Sequence, residues 1–287
     1  MSERLAVDEP AGLFEFLASR LAGWHRNTLR KRLRAGCVRV NGETVTRRDH
    51  TLLAGDEVEV VGREEGQAEP SASRGLDPLY EDEHLIAIDK PAGLLSVSTE
   101  RQRERTALAL MRDALSRPGR PARLWPVHRL DRETSGVLLF ARSREVCEQV
   151  RADWSEATKT YLAIVEGHPG LAEGAIDKPL WEDRALYVRV GRKPGAKDAR
   201  TRYRTLATPR GRALLEVELD TGRRHQIRVH LAWLGHPVVG DKRYGRGGPR
   251  LGLHALRLEV RHPKSERRLV LEAPAPRAFT ELLEAGC

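Results

Sequence analysis

The chain has 287 residues, 40% of them hydrophobic, which suffices for one large domain with a buried core or a large domain with a small one appended. Its 50 Lys and Arg residues outnumber its 41 Asp and Glu residues, giving a net charge of +9. This balance favours a polyanionic partner, with nucleic acid first, over a small neutral ligand. A basic but inert surface is the alternative that whole-chain charge leaves open.

The three cysteines, Cys37, Cys147 and Cys287, are widely spaced, odd in number and without a CxxC pair. This pattern indicates neither a disulfide framework nor a zinc site. The first residues, MSERLAVDEP, contain no apolar targeting segment, and no stretch approaches the ~18 apolar residues of a membrane span. We therefore expect a cytoplasmic protein with no membrane contact.

The first part of the chain carries the pattern of a small α/β module. LFEFLASRL has helical spacing, and TLRKRLRA, capped by Asn27, predicts a second helix. VRVNGETV then predicts a hairpin that turns at Asn41 and Gly42, and DEVEVV predicts a further strand. Together these elements predict a module over residues 1–61.

The second predicted helix carries a dense basic run: Arg26, Arg30, Lys31, Arg32 and Arg34. Such a run repels itself unless phosphates lie against it, although a solvated helix face is the alternative. Followed by GCVRVNG, the run resembles the RNA-binding module named after ribosomal protein S-four, in which a basic helix pair and a small sheet grip structured RNA. We therefore expect Arg30 and Arg34 to bind RNA.

Residues 62–75, GREEGQAEPSASRG, are polar and lack periodicity, as is typical of a linker. From residue 76 to 287 the chain predicts helices near 106–115 and 143–154, and strands at HLIAIDK, GVLLFAR, TYLAIVEG, TRYRTLAT, ALLEVELD and RLVLEA. This pattern predicts an α+β domain with a mixed, mostly antiparallel sheet. No GxGxxG or GxxxxGK[ST] motif is present, so we expect no nucleotide cofactor.

The segment PVHRLDRETSGVLLFAR places charged and turn-forming residues directly before an apolar strand, which predicts a site at the entrance of that strand. Within it, Asp131 alone is equally typical of a turn or a capping carboxylate. Whether Asp131 is a site residue or only a turn or capping residue therefore depends on the motifs around it.

Those motifs follow one another as IDKPAGLLSV, HRLDRETSG, KTYLAIVEG, KDARTRY, TGRRHQIRVHLAWLGHPVVGDKRYG and LHA. In this order, over residues 79–274, the chain resembles the RluA-type RNA pseudouridine synthases. The resemblance implies that family's fold and its reaction, in which specific uridines of structured RNA become pseudouridine. Two departures, STERQRERT after IDKPAGLLSV and the basic segment GRKPGAKDAR, are expected to affect the choice of RNA rather than the reaction.

The resemblance also implies roles for single residues. Asp131 is the catalytic aspartate, Tyr161 lies beside the uracil and Arg228 is the partner of the aspartate. Arg129 matches the residue that fills the space left by the flipped uridine, and His128 orients the loop at the substrate. Without the motifs, Tyr161 would be an ordinary half-buried strand residue and Arg228 a surface arginine.

The chemistry accepts these residue types. The reaction breaks the bond between nitrogen and the anomeric carbon, turns the base and rejoins it through carbon 5. An ionised carboxylate can attack the sugar or stabilise its developing positive charge, and a guanidinium keeps a buried carboxylate ionised. The proton acceptor and the choice between attack on the sugar and a glycal intermediate stay open.

The appended module favours a large structured RNA, with large-subunit ribosomal RNA first and transfer RNA second. One rival function is a non-catalytic RNA-binding or ribosome-assembly factor. Another is a carboxylate-based hydrolase, for which the nearest second acid is Glu133. The histidines show no metal-ligand spacing, so we expect no metal, and we expect a monomer.

If the basic helix binds phosphates, replacing Arg30 and Arg34 with Glu should weaken RNA binding and flatten its dependence on salt. Each lost phosphate contact should reduce the slope of log K against log salt by about 1. Filter binding between low and moderate salt measures that slope. An unchanged slope in the double variant would contradict a phosphate contact by this helix.

Overall fold

The computed structural model describes residues 3–21, 24, 29, 33, 37–45, 50–61, 76, 78–98, 106–117 and 120–285. The chain divides into two compact units, Met1–Gly75 and Leu76–Cys287. Three expectations fall outside the described residues: the contacts of Arg30 and Arg34, most of the helix that carries them, and the linker at 62–75. The module's resemblance to the S-four fold therefore stays a prediction.

The described residues of the first unit form helix α1, Leu13–Arg20, and six short strands: β1 Glu3–Ala6, β2 Ala11–Gly12, β3 Val38–Val40, β4 Glu43–Thr44, β5 Thr51–Leu52 and β6 Glu57–Val60. Strands β1, β6, β3 and β4 form an antiparallel sheet in that order, and β2 pairs with β5. The predicted hairpin is confirmed: β3 and β4 are joined by Asn41 and Gly42, both with positive φ, as a two-residue turn requires. Strand β1 was not anticipated, because ERLA is short and half charged.

The second unit is built on a ten-stranded sheet with the order β12-β15-β16-β11-β17-β10-β8-β7, in which β18 also pairs with β17 and β9 with β10. All of its pairings are antiparallel except that of β10 with β17, which confirms the mixed, mostly antiparallel α+β class. Its strands are β7 Pro78–Glu81, β8 Leu85–Lys90, β9 Trp125–Pro126, β10 Ser135–Ala141, β11 Thr158–Glu166, β12 Glu173–Asp177, β15 Arg200–Ala207, β16 Arg212–Leu219, β17 Leu253–Arg261 and β18 Arg268–Glu272. A separate hairpin joins β13 Leu180–Glu182 to β14 Val188–Val190.

Four helices are described in this unit: α2 Ala107–Leu115, α3 Arg144–Ala152, α4 Gln226–Trp233 and α5 Arg277–Glu284. Helix α3 begins where Ser143 accepts a hydrogen bond from the backbone N–H of Val146, and it buries Val146, Cys147 and Val150 at helical spacing. The two helices predicted near 106–115 and 143–154 are therefore confirmed. None of the described helices is long and apolar enough to cross a membrane.

The six strands predicted for this domain are confirmed as β8, β10, β11, β15, β16 and β18. The sequence did not predict β17, although it lies at the centre of the sheet and six of its nine residues are buried. Its sequence, LHALRLEVR, is interrupted by charged residues that break both an apolar run and a clean alternation. Two of these, Arg257 and Glu259, form an ion pair, so the strand carries its charges without leaving them unpaired.

The parallel pairing of β10 with β17 fixes where the HRLDRETSG loop enters the sheet. Ser135 lies opposite His254, and Gly136 lies opposite Ala255. Gly136 has φ +114°, and a Cβ at this position would lie 2.1 Å from the carbonyl oxygen of Ala255. Only glycine fits both the dihedral angle and the space, so the last residue of the motif is required by the backbone.

Replacing Gly136 with Ala should therefore lower the free energy of unfolding by about 3–5 kcal/mol, because backbone must move to admit the methyl group. Chemical denaturation monitored by circular dichroism measures the loss. The control is Gly170→Ala, where a Cβ meets nothing within 4 Å. Equal stability of the two variants would contradict this prediction, because it would mean that the backbone at Ala255 moves aside at little cost.

Candidate active site

Asp131 lies in the loop between β9 and β10, at the edge of a cleft. The backbone N–H of Thr134 donates to the carbonyl oxygen of Asp131 at 3.2 Å, which closes a tight turn directly before β10. Ser135 and Gly136 then enter the sheet in fully buried positions. The turn leaves the Asp131 side chain 29% exposed, so its carboxylate can be reached from the cleft.

The segment IDKPAGLLSV fixes this loop through hydrogen bonds to the loop backbone. The buried ammonium of Lys90 donates to three carbonyl oxygens, those of Pro91, Leu94 and Arg132, at 2.9, 2.8 and 3.1 Å. The hydroxyl of Ser96 accepts from the N–H of Leu130 and donates to its carbonyl oxygen. Both motifs thus form one backbone assembly around Asp131, which explains why they occur together.

Burial lowers the pKa of Lys90 to about 8, against the opposing charges of Glu133, Asp131 and Asp89. At neutral pH the amine therefore remains largely protonated, and three donors match three carbonyl acceptors. This role could not be predicted from the sequence, because a lysine at the end of a strand is usually exposed.

Arg228 projects from α4 and connects two carboxylates. Its Nη1 donates to Oδ2 of Asp131 at 3.0 Å, while its Nε and Nη2 donate to the two oxygens of Asp241 at 2.7 and 2.8 Å. The arginine side chain is 11% exposed and that of Asp241 is fully buried. Burial works against the guanidinium charge, but the hydrogen bonds and charges of Asp241 and Asp131 raise the pKa of Arg228 above its ordinary value.

Sequence reasoning missed Asp241. Burial opposes its ionisation, yet the hydrogen bonds and charge of Arg228 hold the pKa of Asp241 below its ordinary value. Its Oδ1 atom also accepts the backbone N–H groups of Arg243 and Tyr244. The glycine before it, Gly240, could have indicated a compact turn at this point of the sequence. In the structure Gly240 has φ +76° and packs closely against the Arg250 carbonyl, and the turn directs the Asp241 side chain inward.

Tyr161 lies on β11 and lines the same cleft as Asp131. Burial, with a smaller contribution from the charge of Asp131, raises the pKa of the Tyr161 phenol above its ordinary value. The phenol is therefore protonated at neutral pH. The structure thus brings together the three residues that the sequence predicted for the reaction, Asp131, Tyr161 and Arg228.

His128 and Arg129 lie in the same loop but face different surroundings. The Nε2 atom of His128 accepts the backbone N–H of Leu139 at 3.1 Å, and its ring stacks on Trp154 at a centroid distance of 5.1 Å. Burial and nearby positive charge lower the pKa of His128 to about 4, so the ring is neutral. Arg129 is exposed at the cleft, and its guanidinium has no hydrogen-bond or ion-pair partner among the described residues.

Two further residues of the site were not predicted, His225 and Tyr244. The Nε2 atom of His225 lies 3.7 Å from Oδ2 of Asp131, and its Nδ1 atom lies 2.8 Å from the hydroxyl of Tyr244. The Cζ atom of Arg228 lies 5.3 Å from the centre of the Tyr244 ring. The signal for both residues was their place beside Arg228 and Asp241 within one long motif.

The start of α4 is fixed by a buried polar network that includes the KDARTRY segment. Gln226 donates to the Thr201 hydroxyl and to the Arg200 carbonyl, and its own side-chain oxygen accepts from Thr221 and Arg223. His230, one turn further along, lies 2.8 Å from the same Thr201 hydroxyl. These contacts set the orientation of the helix that carries Arg228.

The cleft has a volume of about 760 Å³ and a strongly basic lining. Two acidic residues, Asp131 and Glu133, face eight basic ones: Arg129, Arg132, Arg151, Lys159, Arg223, Arg224, Arg228 and Arg243. Among the residues that the structure describes, no group of three or more His, Cys, Asp or Glu side chains could hold a metal. The cleft therefore suits a polyanion, and at its wall the Asp131 carboxylate is paired with Arg228.

The family model for RNA pseudouridylate synthase matches residues 84–233, a range that includes Asp131, Tyr161 and Arg228. The chain belongs to this family. It is 34% identical to ribosomal large subunit pseudouridine synthase D of Nitrosomonas europaea, over 99% of this chain and 87% of the relative. It is 35% identical to tRNA pseudouridine synthase C of Vibrio vulnificus, over 73% of this chain and 94% of the relative.

Among solved structures, human RNA pseudouridylate synthase domain containing 4 resembles this RNA pseudouridine synthase with a TM-score of 0.61 and 28% identity, covering 74% of this chain and 92% of that one. The family and these relatives confirm the RluA-type resemblance and the predicted activity. The protein is an isomerase that converts uridine to pseudouridine in RNA. The readings as a hydrolase or as a non-catalytic factor are thereby set aside.

Replacing Asp241 with Asn should lower the free energy of unfolding by about 3 kcal/mol, because the amide places a donor against the guanidinium of Arg228 and leaves its buried charge undercompensated. The same change should lower kcat for pseudouridine formation at least about tenfold, since Arg228 loses the fork that aims it at Asp131. Denaturant titration and tritium release from labelled RNA measure the two effects.

The control is Asp220→Asn, which changes a more exposed carboxylate whose Oδ1 accepts from both Nε and Nη2 of Arg202, and it should cost less than about 1 kcal/mol. Because the pKa of Asp241 is lower in the folded than in the unfolded protein, its stabilising contribution is complete above about pH 5 and is lost as the pH falls further. Asp241→Asn and wild type should therefore converge in stability towards low pH. A constant difference across this range would contradict the assignment.

Proposed function

We propose that this enzyme isomerises specific uridines of large-subunit ribosomal RNA in the cytoplasm, and that Asp131 is the residue that acts on the ribose. The observation that carries the catalytic assignment is the hydrogen bond between Asp131 and Arg228 at the wall of the basic cleft. The RNA target is supported by the relative named for the large ribosomal subunit, which matches nearly the whole chain.

The guanidinium of Arg228 keeps the Asp131 carboxylate ionised when RNA excludes water from the cleft. A lone carboxylate in such a place would be driven towards its neutral form, whereas a paired one keeps its negative charge. That charge can attack the anomeric carbon or stabilise positive charge as the bond to nitrogen breaks. A carboxylate nucleophile, unlike a hydroxyl, needs no base to activate it.

Tyr161 packs against the uracil as a neutral phenol. Its position on β11, within the cleft and near Asp131, lets the ring hold the base after the bond to the sugar breaks and while the base turns. The raised pKa of Tyr161 makes a phenolate unavailable at neutral pH, so the ring contributes packing rather than serving as a pre-formed base.

Arg129 enters the RNA stack when the target uridine leaves it. Flipping a base costs a few kcal/mol, and a planar cation next to Asp131 can occupy the vacated space and contact the neighbouring phosphates. Its lack of a partner among the described residues leaves the guanidinium available for this contact. His128 is committed to the backbone of β10 and to Trp154, so we assign it to holding the loop that carries Arg129.

Transfer RNA is the second candidate target, because one relative is named for it. That relative matches 73% of this chain, whereas the relative named for the large ribosomal subunit matches 99%. The basic segment GRKPGAKDAR follows the β13–β14 hairpin, where the Nζ atom of Lys193 lies 4.3 Å from the centre of the Trp181 ring. We assign this segment to contacts with RNA beyond the target uridine.

Replacing Asp131 with Asn should abolish turnover, by at least about 10³-fold in kcat, and leave RNA affinity within about twofold. In cells that lack the protein, mapping of pseudouridine by carbodiimide reactivity should show particular RNA positions at which the pseudouridine signal is lost. Wild type should restore the signal and Asp131→Asn should not. The RNA in which these uridines lie identifies the target.

The matched control is Glu133→Gln, which removes the neighbouring exposed carboxylate of the same loop and should keep kcat within about threefold. Full activity of Asp131→Asn would refute the catalytic assignment. Sites that map to transfer RNA would move the target to the second candidate while leaving the assignment of Asp131 in place.

A further inference from the structure

His225 adopts a backbone conformation that is uncommon for a residue other than glycine. It precedes α4 in the left-handed region, with φ 53° and ψ 18°. Such a conformation is retained where the surrounding structure requires it, often at functional sites. Here it places the imidazole, 10% exposed, in the wall of the cleft beside Asp131.

The hydrogen bonds around Tyr244 determine which nitrogen of His225 carries the proton. The Tyr244 hydroxyl oxygen accepts the backbone N–H of Val188 at 3.2 Å, so its own proton is available for donation. Within the described part of the chain, Nδ1 of His225, at 2.8 Å, is the acceptor in reach of that proton. The O–H group therefore donates to Nδ1, and a neutral imidazole must then carry its proton on Nε2.

Electrostatics agrees with this tautomer. The charged and titratable groups around the imidazole are Asp131, Arg224, Arg228, Arg243 and Tyr244. Burial, followed by the positive charges of the three arginines, lowers the pKa of His225 to about 4 despite the opposing charge of Asp131. The ring is thus neutral at pH 7, and only the tautomer with a proton on Nε2 turns a donor rather than a lone pair towards the carboxylate.

We propose that His225 is a positioning residue that, fixed by Tyr244, directs its Nε2–H at Oδ2 of Asp131 and so sets which carboxylate oxygen faces the ribose. Arg228 donates to the same oxygen. Oδ1 accepts no hydrogen bond from any residue that the structure describes, so it is the oxygen left for the sugar. This inference rests on the role of Asp131 in the proposed function.

The distance of 3.7 Å from Nε2 to Oδ2 is longer than a hydrogen bond. Contacts of this kind in active sites often shorten when substrate closes the cleft. Two donors on one oxygen prevent the carboxylate from rotating about its Cβ–Cγ bond, so Oδ1 stays aligned with the anomeric carbon. Tyr244 supports both donors, because its ring also lies under the guanidinium of Arg228.

The test compares His225→Asn with His225→Gln. Asn tolerates the left-handed backbone but is too short to reach Asp131, whereas the amide N–H of Gln can replace Nε2–H. We expect His225→Asn to lower kcat about 30-fold with KM for RNA unchanged, as for the loss of a hydrogen bond to a charged group, and His225→Gln to recover most of that loss. The exposed His168, replaced by Asn, is the control and should keep wild-type kcat.

A second measurement does not depend on turnover. Two-bond ¹H–¹⁵N spectra of the full-length protein, assigned with the His225 variants, should show His225 protonated on Nε2 in wild type and as a mixture of tautomers in Tyr244→Phe. Tyr244→Phe keeps the ring against Arg228 and should lower kcat about tenfold. Thermal unfolding of each variant shows whether the protein is folded.

Wild-type kcat in a folded His225→Asn variant, or a proton on Nδ1 in the wild-type spectrum, would overturn the proposal. If Asp131→Asn is inactive in the same assays, only the role of His225 fails. If Asp131→Asn is active, the proposed function fails first, whatever the tautomer of His225.

Discussion

The guanidinium of Arg228 lies between two carboxylates, and the rest of the site depends on this arrangement. Asp241, fully buried, takes two of its N–H groups, so the arginine is fixed before any substrate arrives. The remaining donor is then directed at Asp131, which stays partly exposed. A guanidinium shared between a buried and an exposed carboxylate can hold the exposed one charged without neutralising it, because its positive charge is already balanced on the buried side.

This arrangement requires the loop of Asp131 and the helix of Arg228 to be held independently. The loop is fixed by backbone contacts: Lys90 binds three carbonyl oxygens, Ser96 bridges Leu130, and Gly136 allows β10 to approach β17. The helix is fixed by the network around Gln226. The contacts that hold the loop and those that hold the helix involve different strands. A substitution that disturbs either set would therefore change the distance between Asp131 and Arg228. Motifs that are far apart in the sequence therefore all contribute to the geometry of the ion pair between Asp131 and Arg228.

The predictability of these features follows from the range of the interactions that determine them. Helices such as α3 and strands such as β10 were found because their spacing and caps are local. Strand β17 was missed because what makes it a central strand is its neighbours on both sides, which a charged sequence does not display. Asp131, Tyr161 and Arg228 were predicted from the motif resemblance, whereas the roles of four other residues became apparent only from the three-dimensional structure: Asp241, Lys90, His225 and Tyr244. Lys90 binds the carbonyl oxygen of Arg132, 42 residues away, and Tyr244 accepts the N–H of Val188, 56 residues away; such contacts depend on the fold and not on a local pattern.

The cleft combines a strongly basic lining with two imidazole rings that carry no charge. Eight basic side chains line the cleft with two acidic ones. Burial, together with nearby positive charge, lowers the pKa of His128 and that of His225 to about 4, so both imidazoles are neutral at pH 7. Keeping these rings neutral lets the cleft use them as hydrogen-bonding groups that do not change with pH in the neutral range. The positive charge is then carried by arginines and lysines, whose phosphate contacts release counterions when RNA binds. In the proposed function, the basic side chains of the cleft supply affinity for the RNA backbone, and Arg228 and His225 in addition orient the Asp131 carboxylate.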